Sequence, residues 1–208
     1  YQSPKASLAA LWLDPTAEQV VIFHLITEGG CRVEMDGAPP MEVQEGDVVM
    51  SPGGSAHRMT SAPGLPPTRG AADLKKLFAS RPRRLAYGGG GAPTRIVCGY
   101  LACDTRLARL LLDGLPPVVR ISLRDSDAGA WLESSVRYAL AEARTARPGG
   151  ASLLSRLAEL LLIEVLRRYV HQHEGHAGWL AGLGDRVAGK ALNALHQQPC
   201  RDWTLPDL

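Results

Sequence analysis

The sequence predicts an α+β fold in which a small β-barrel is followed by C-terminal helices. Short β-branched runs of period two, punctuated by Gly and Pro, fill the first part. Beyond residue 125 the apolar positions recur at helical spacing. The length, 208 residues, is enough for one core and a small second unit.

QVVIFHLIT, residues 19–27, is a strand whose Val20, Ile22, His24 and Ile26 share a face, ended by Gly29 and Gly30. CRVEMDG places Cys31, Val33 and Met35 opposite Arg32, Glu34 and Asp36 and closes at the turn signal Asp36-Gly37. MEV, DVVMS and AHRMT follow, separated by Gly and Pro at the spacing of an all-β barrel or sandwich. Residues 63–95 form a long connection whose basic patch (Lys75, Lys76, Arg81, Arg83, Arg84) reads as a solvated loop face. RIVCGYLACD returns to strand pattern, with Ile96, Cys98 and Tyr100 on one side.

WLESSVRYALAEART carries an amphipathic stripe that ends at Pro148-Gly149-Gly150. Ser152 then caps SLLSRLAELLLIEVLRRYV, whose apolar surface exceeds half its circumference. Such a helix needs cover on two sides; the barrel can supply one and a second copy in a two-fold dimer is the economical cover for the other, the alternative being an ordinary core helix within one chain. His171, His173 and His176 read as a helix-end cluster that caps carbonyls, and Trp131, Tyr169 and Trp179 as packing residues. DRVAGKALNALHQ is a short helix. Thr204, Pro206 and Asp207 then make a further helix entry, which suggests a downstream piece. The expected division is a barrel over 1–125, a helical dimerisation region over 126–180, and a linker with a helix start over 181–208.

Composition narrows the function. With 23 Lys plus Arg against 21 Asp plus Glu, the net charge of +2 is too small for a nucleic-acid coat or a membrane-surface binder, so any DNA contact is local. Hydrophobic and charged fractions of 45% and 21% argue against disorder. The apolar run LAELLLIEVL is broken by Glu159 and Glu164, and YQSPKASLAALWLDP has neither a basic n-region nor a long apolar core, so a cytoplasmic location is expected. Cys31, Cys98, Cys103 and Cys200 show no CxxC pairing, which argues against a disulfide scaffold.

GDVVMSPGGSAH, residues 46–57, has the pattern G-x5-P-x-G-x2-H and resembles the second sequence motif of the cupin superfamily. That resemblance implies that Gly46 starts a strand, that Pro52 and Gly54 make a turn, and that His57 projects into the barrel. The first cupin motif is degenerate, with only His24 in the corresponding strand. FHLITEGGCRVEMDG, EGDVVMSPGGSAH, RIVCGYLACD, LLDGLPPVVRI, LAELLLIEVLRRYV, GWLAGLGDRVAGKALNALHQQP and DWTLPDL, in this order, resemble the N-terminal regulatory half of AraC-family transcriptional regulators with a cupin-type sensor domain. The resemblance runs from about Val20 to Leu208. It implies a domain that senses a small-molecule effector, forms a homodimer, and acts on DNA through helix-turn-helix units that lie beyond this sequence. The resemblance also implies that 181–208 holds a linker and the start of that helix-turn-helix region; Arg186 and Lys190 there read as solvated, with phosphate contact in the full protein as the alternative.

His24, His57 and Cys98 are the candidate metal ligands; two imidazoles and a thiolate suit Zn²⁺, with water or a fourth protein ligand, Cys31 or Cys103, completing a tetrahedron. The alternative reading of these residues is hydrogen-bonded core. Strand parity nominates Ile22, His24, Val33, Met35, Met50 and His57 as the effector-binding face, mainly apolar and suited to a small, partly hydrophobic effector. The competing function is a small metal-dependent cupin enzyme built on His24 and His57, and a third is a dimerising module with a filled barrel. No catalytic acid or base accompanies the two histidines, so a non-enzymatic regulator is the expectation.

Overall fold

The structure is a computed structural model of the chain. It describes residues 16–65, 86, 90–104, 111–144, 148–172, 182 and 185–207. Seven strands come first: β1 (Gln19–Glu28), β2 (Gly30–Met35), β3 (Ala38–Gln44), β4 (Asp47–Ser51), β5 (His57–Thr60), β6 (Arg95–Cys103) and β7 (Val119–Ser122). They are followed by α1 (Asp127–Arg144), α2 (Gly150–Gln172), α3 (Ala188–Gln197) and a 3-10 turn at Leu205–Asp207. The expected basic patch at 75–84, the imidazoles of His173 and His176, and Trp179 lie outside the described residues.

The strands form two antiparallel sheets, a four-stranded one in the order β6-β1-β4-β7 and a three-stranded one in the order β3-β2-β5. Ile26 and Val49 of the first pack with Val33, Val43 and Met59 of the second, so the sheets face each other as the walls of a flattened barrel. Alternation along β1 divides its side chains between two cores. Val20, Ile22, His24 and Ile26 point between the sheets, whereas Val21, Phe23 and Leu25 point outward to the helices. β4 does the same, sending Val49 inward and Val48 and Met50 outward.

The outward face is covered by α1 and α2. Leu132, Val136 and Ala139 of α1 and Leu157, Leu161, Val165 and Tyr169 of α2 join Phe23, Leu25, Val48 and Met50 in one continuous core. Burying each such side chain contributes roughly 1.5–3 kcal/mol, so this layer holds the helices on the sheet. A polar clamp adds direction: the Arg168 guanidinium donates to the Ser122 and Leu123 carbonyls and to the Ser126 hydroxyl, and its Nε meets Glu164 at 2.7 Å. Gly129 leaves room for it, since a Cβ there would lie 2.1 Å from the Leu123 carbonyl and 2.4 Å from an Arg168 Nη.

Three sequence readings are corrected here. The strand β7, VRIS, was not anticipated; it is four residues long and adjoins a Pro-rich turn, too short for a period to emerge. The second long helix starts at Gly150, so Ser152 lies in its first turn instead of capping it. Trp131, expected in the core, is 61% exposed, while Tyr169 is buried as expected. The turn at Thr204 does form: the Thr204 N–H and hydroxyl donate to an Asp207 carboxylate oxygen at 3.1 and 2.5 Å.

Candidate functional site

Register brings the predicted residues together. His24 on β1 lies opposite Cys98 on β6 and opposite Val49 on β4, so the three share one cross-strand row on the inner face. His57, first residue of β5, reaches the same point from the opposite sheet. Gly46 and Gly54, with φ of 89° and 61°, make the turns that the motif GDVVMSPGGSAH requires, and so aim His57 inward.

These side chains form a hydrogen-bonded chain. His57 Nδ1 is 2.9 Å from the Ser55 carbonyl, His57 Nε2 is 2.6 Å from His24 Nε2, and His24 Nδ1 is 3.0 Å from Cys98 Sγ. The Ser55 carbonyl only accepts, so the proton on His57 sits at Nδ1 and its Nε2 accepts. It follows that His24 donates from Nε2 and that its Nδ1 accepts from the Cys98 thiol. Electrostatics agree with neutral partners. Burial, and then the adjacent His57, hold His24 well below the usual histidine range. Burial also lowers His57, against an opposing pull from the Ser55 carbonyl. Cys98 stands on the edge strand β6 as an exposed residue, yet its sulfur turns in against His24. Its thiol is pushed up to about 12, by burial first and by neighbouring Cys31 second.

The expected zinc set is tested by this geometry. The two nitrogens of one imidazole point away from each other, and those of His24 face different partners, His57 on one side and Cys98 on the other. A metal between His24 Nε2 and His57 Nε2 would therefore have Cys98 behind the ring. The three residues meet as a chain, not around a common point, and they do not fit one metal's ligand set. Among the described residues no group of three or more His, Cys, Asp or Glu side chains is placed to hold a metal ion. Cys31 and Cys103, the expected further donors, are both half-buried thiols whose titration is pushed up by burial, Cys31 to about 11.

Of the expected effector-binding face, Ile22, His24, Val33 and His57 lie between the sheets, and Met35 packs half-buried on the same core. Met50 does not. It points outward, pairs with Phe23 in the register, and packs beneath α2 with Leu161 and Val165. All five β4 residues are buried, so this central strand has no solvent-facing side from which parity could be read.

Sequence reasoning also left out two buried acids. Asp47 is fully buried on the inner face, where one carboxylate oxygen accepts from the Gln44 N–H and from Arg120 Nε, each at 2.9 Å. Its signal was a carboxylate opening an otherwise apolar run. Glu133 is a second buried acid, in contact with Arg124 and Arg137. Burial raises its carboxyl, and hydrogen bonds from both arginines outweigh that and hold it below the usual range.

A cupin family model matches residues 4–171. The chain belongs to the cupin family. This cupin is 34% identical, over 92% of its own length and 62% of the other's, to a protein of Streptomyces lividans described as an AraC-like transcription regulator. A protein of Streptomyces antibioticus with the same description is 32% identical over the same shares. The HTH-type transcriptional regulator AlkR of Acinetobacter baylyi is 24% identical over 92% of this cupin and 63% of AlkR. The chain thus spans about three-fifths of the length of these relatives. No helix among the described residues is long and apolar enough to cross a membrane.

Proposed function

We propose that this cupin is the effector-sensing and dimerising domain of a cytoplasmic AraC-type transcription regulator, one that acts on DNA through a helix-turn-helix region and has no enzymatic turnover. The observation that carries the reading is the double role of β1. Its inner face holds His24 in the hydrogen-bonded chain, and its outer face, through Phe23 and Leu25, belongs to the core that α1 and α2 cover, with Phe23 beside Leu161 and Val165 of α2. A ligand that rearranges His24 and His57 shifts the strand on which α2 rests. Its effect on that equilibrium equals its differential affinity for the two arrangements. The inner face offers Ile22, Val33 and Met35 as apolar contacts and two imidazoles as polar ones, which suits a small, partly apolar effector.

The dimer reading rests on α2. Its Leu153, Leu160 and Ile163 are exposed, by 38%, 42% and 52%, on one flank that the sheet does not cover. Arg156 and Glu159 border that flank with charges of both signs, so a copy related by a two-fold axis meets complementary charge. The test fuses this cupin to a DNA-binding domain that works only as a dimer. Reporter control by the wild type, lost in Leu160→Arg and altered in His24→Gln, is expected. A reporter indifferent to all three proteins would refute the proposal.

A further inference from the structure

We propose that a cavity between the β3–β4 turn and the link from β7 to α1 binds a small polar α-amino acid, its carboxylate on Arg124 and its ammonium group on Asp125. The site goes beyond the sensing role above and shares no residue with the chain of His24, His57 and Cys98. The cavity is open to solvent, measures about 400 Å³, and is lined by Gly29, Gln44, Glu45, Ser122, Arg124 and Asp125. Turn chemistry builds its walls. Gly46, at φ 89°, donates its N–H to the Ile26 carbonyl at 2.8 Å and accepts from the Leu123 N–H at 2.9 Å, which joins the turn to the end of β7. A Cβ at Gly46 would lie 2.6 Å from Arg124 Cγ and Cδ, so glycine there lets the Arg124 side chain cross the turn.

Arg124 is held in place by two acids. Glu133, whose side chain is 7% exposed, accepts from Arg124 Nε and Nη2 at 3.2 Å each, and Glu45 accepts from Arg124 Nη2 at 2.7 Å. Arg137 Nη2 donates to the same two carboxylates, at 2.6 Å to Glu133 and 3.0 Å to Glu45, so both acids are neutralised within the protein. These bonds fix the Arg124 guanidinium and leave its Nη1 with no acceptor among the described residues. Asp125, the next residue, is exposed, and its carboxylate has neither an ion pair nor a hydrogen bond among the described residues. A cation and an anion adjacent in sequence thus line one cavity without pairing with each other. A ligand with only a negative charge would face Asp125 there, and one with only a positive charge would face Arg124. A ligand that carries both charges satisfies both, through a charge-assisted hydrogen bond at each end. Gln44 and Ser122 add neutral donors and acceptors, which suit a short hydroxylated side chain better than an apolar one. An occupant ties the β3–β4 turn to the link that leads into α1 and stabilises the folded chain by mass action.

The experiment titrates the 208-residue chain with L-serine and follows backbone amide shifts by NMR. Two controls each delete one charge from the same skeleton: 3-hydroxypropanoate lacks the ammonium group, and ethanolamine lacks the carboxylate. L-serine is expected to shift the amides of Glu45, Ser122 and Asp125 with a Kd of about 1 mM, the range for a few exposed charge contacts. Each control should bind roughly tenfold more weakly, since a hydrogen bond to a charged group is lost. Asp125→Asn changes an exposed carboxylate with no partner among the described residues, so the fold is unaffected. It should lower the affinity for L-serine about tenfold and leave 3-hydroxypropanoate binding no weaker. Arg124→Gln should weaken L-serine and 3-hydroxypropanoate alike and spare ethanolamine. If loss of its bonds to Glu133 unfolds that variant, Asp125→Asn and the two controls decide the matter without it. No shift of those amides at about 50 mM L-serine would overturn the proposal. Equal midpoints for all three compounds would overturn it too, as would L-serine binding unchanged in Asp125→Asn.

Discussion

The inner and outer faces of the four-stranded sheet are built by the same strands from different chemistry. Outside, Val21, Phe23, Leu25, Val48 and Met50 form an unbroken apolar layer under α1 and α2. Inside, the same strands bury His24, Asp47 and Ser51 among aliphatic side chains, and the facing sheet adds His57. Buried polar groups cost free energy unless each finds a partner, and they weaken a core relative to apolar packing. The outer face therefore holds the fold together, and the inner face is where the chain spends stability on chemistry.

That contrast is broken most forcefully from outside. Leu161→Ala, at the centre of the outer core, should cost about 2–5 kcal/mol in urea unfolding. Cutting the clamp between α2 and β7 comes next: Arg168→Met removes the donor to the Ser122 carbonyl and leaves the Glu164 carboxylate with only the more distant Arg167, and should cost about 3 kcal/mol by the same measurement. On the inner face His24→Gln should cost only about 1–2 kcal/mol, the loss of a buried hydrogen bond in a site that keeps its shape.

Acid should distinguish the faces as well. The folded-state pKa values of His24 and His57 are lowered below their unfolded value of 6.5. As pH falls below 6.5 the unfolded chain takes up protons that the folded chain does not, so folding stability falls, by up to about 1.4 kcal/mol per pH unit for each histidine. The slope should vanish in His24→Gln/His57→Gln, when urea midpoints are compared between pH 6.5 and 5. Glu133 contributes in a lower window. Its depressed carboxyl stabilises the fold above its unfolded value of 4.5, and that contribution disappears as pH falls through the folded value. The smallest effect on stability belongs to Leu160→Arg, within about 0.5 kcal/mol, since the site is exposed. On the proposed dimer reading, wild type sediments as a dimer and the same substitution as a monomer in sedimentation velocity.

The sequence made the outer frame legible wherever one side of an element was wet. β2 was read correctly because Arg32 and Glu34 alternate with Val33; β1, dry on both sides, was legible instead from the length and β-branched content of its run. β4 was misread at Met50 because both faces are dry, and β7 was missed because four residues carry too little pattern. At the site, motif and parity named Cys98, His24 and His57, which the fold does bring together. Their connectivity was not legible. Whether an imidazole turns one nitrogen to a metal or both to hydrogen-bond partners depends on ring orientation, which residue spacing does not encode. Asp47 and Arg168 act through partners 73 and 46 residues away, and no local pattern joins such pairs.

The central claim is that the inner cluster and α2 are coupled through β1. Amide hydrogen exchange, under conditions where global unfolding makes no contribution, tests it most directly by comparing wild type with His24→Gln. The account predicts faster exchange in β1 and in residues 150–172 of α2, with β3 unchanged. Faster exchange confined to β1, or α2 protection equal to wild type, would contradict it.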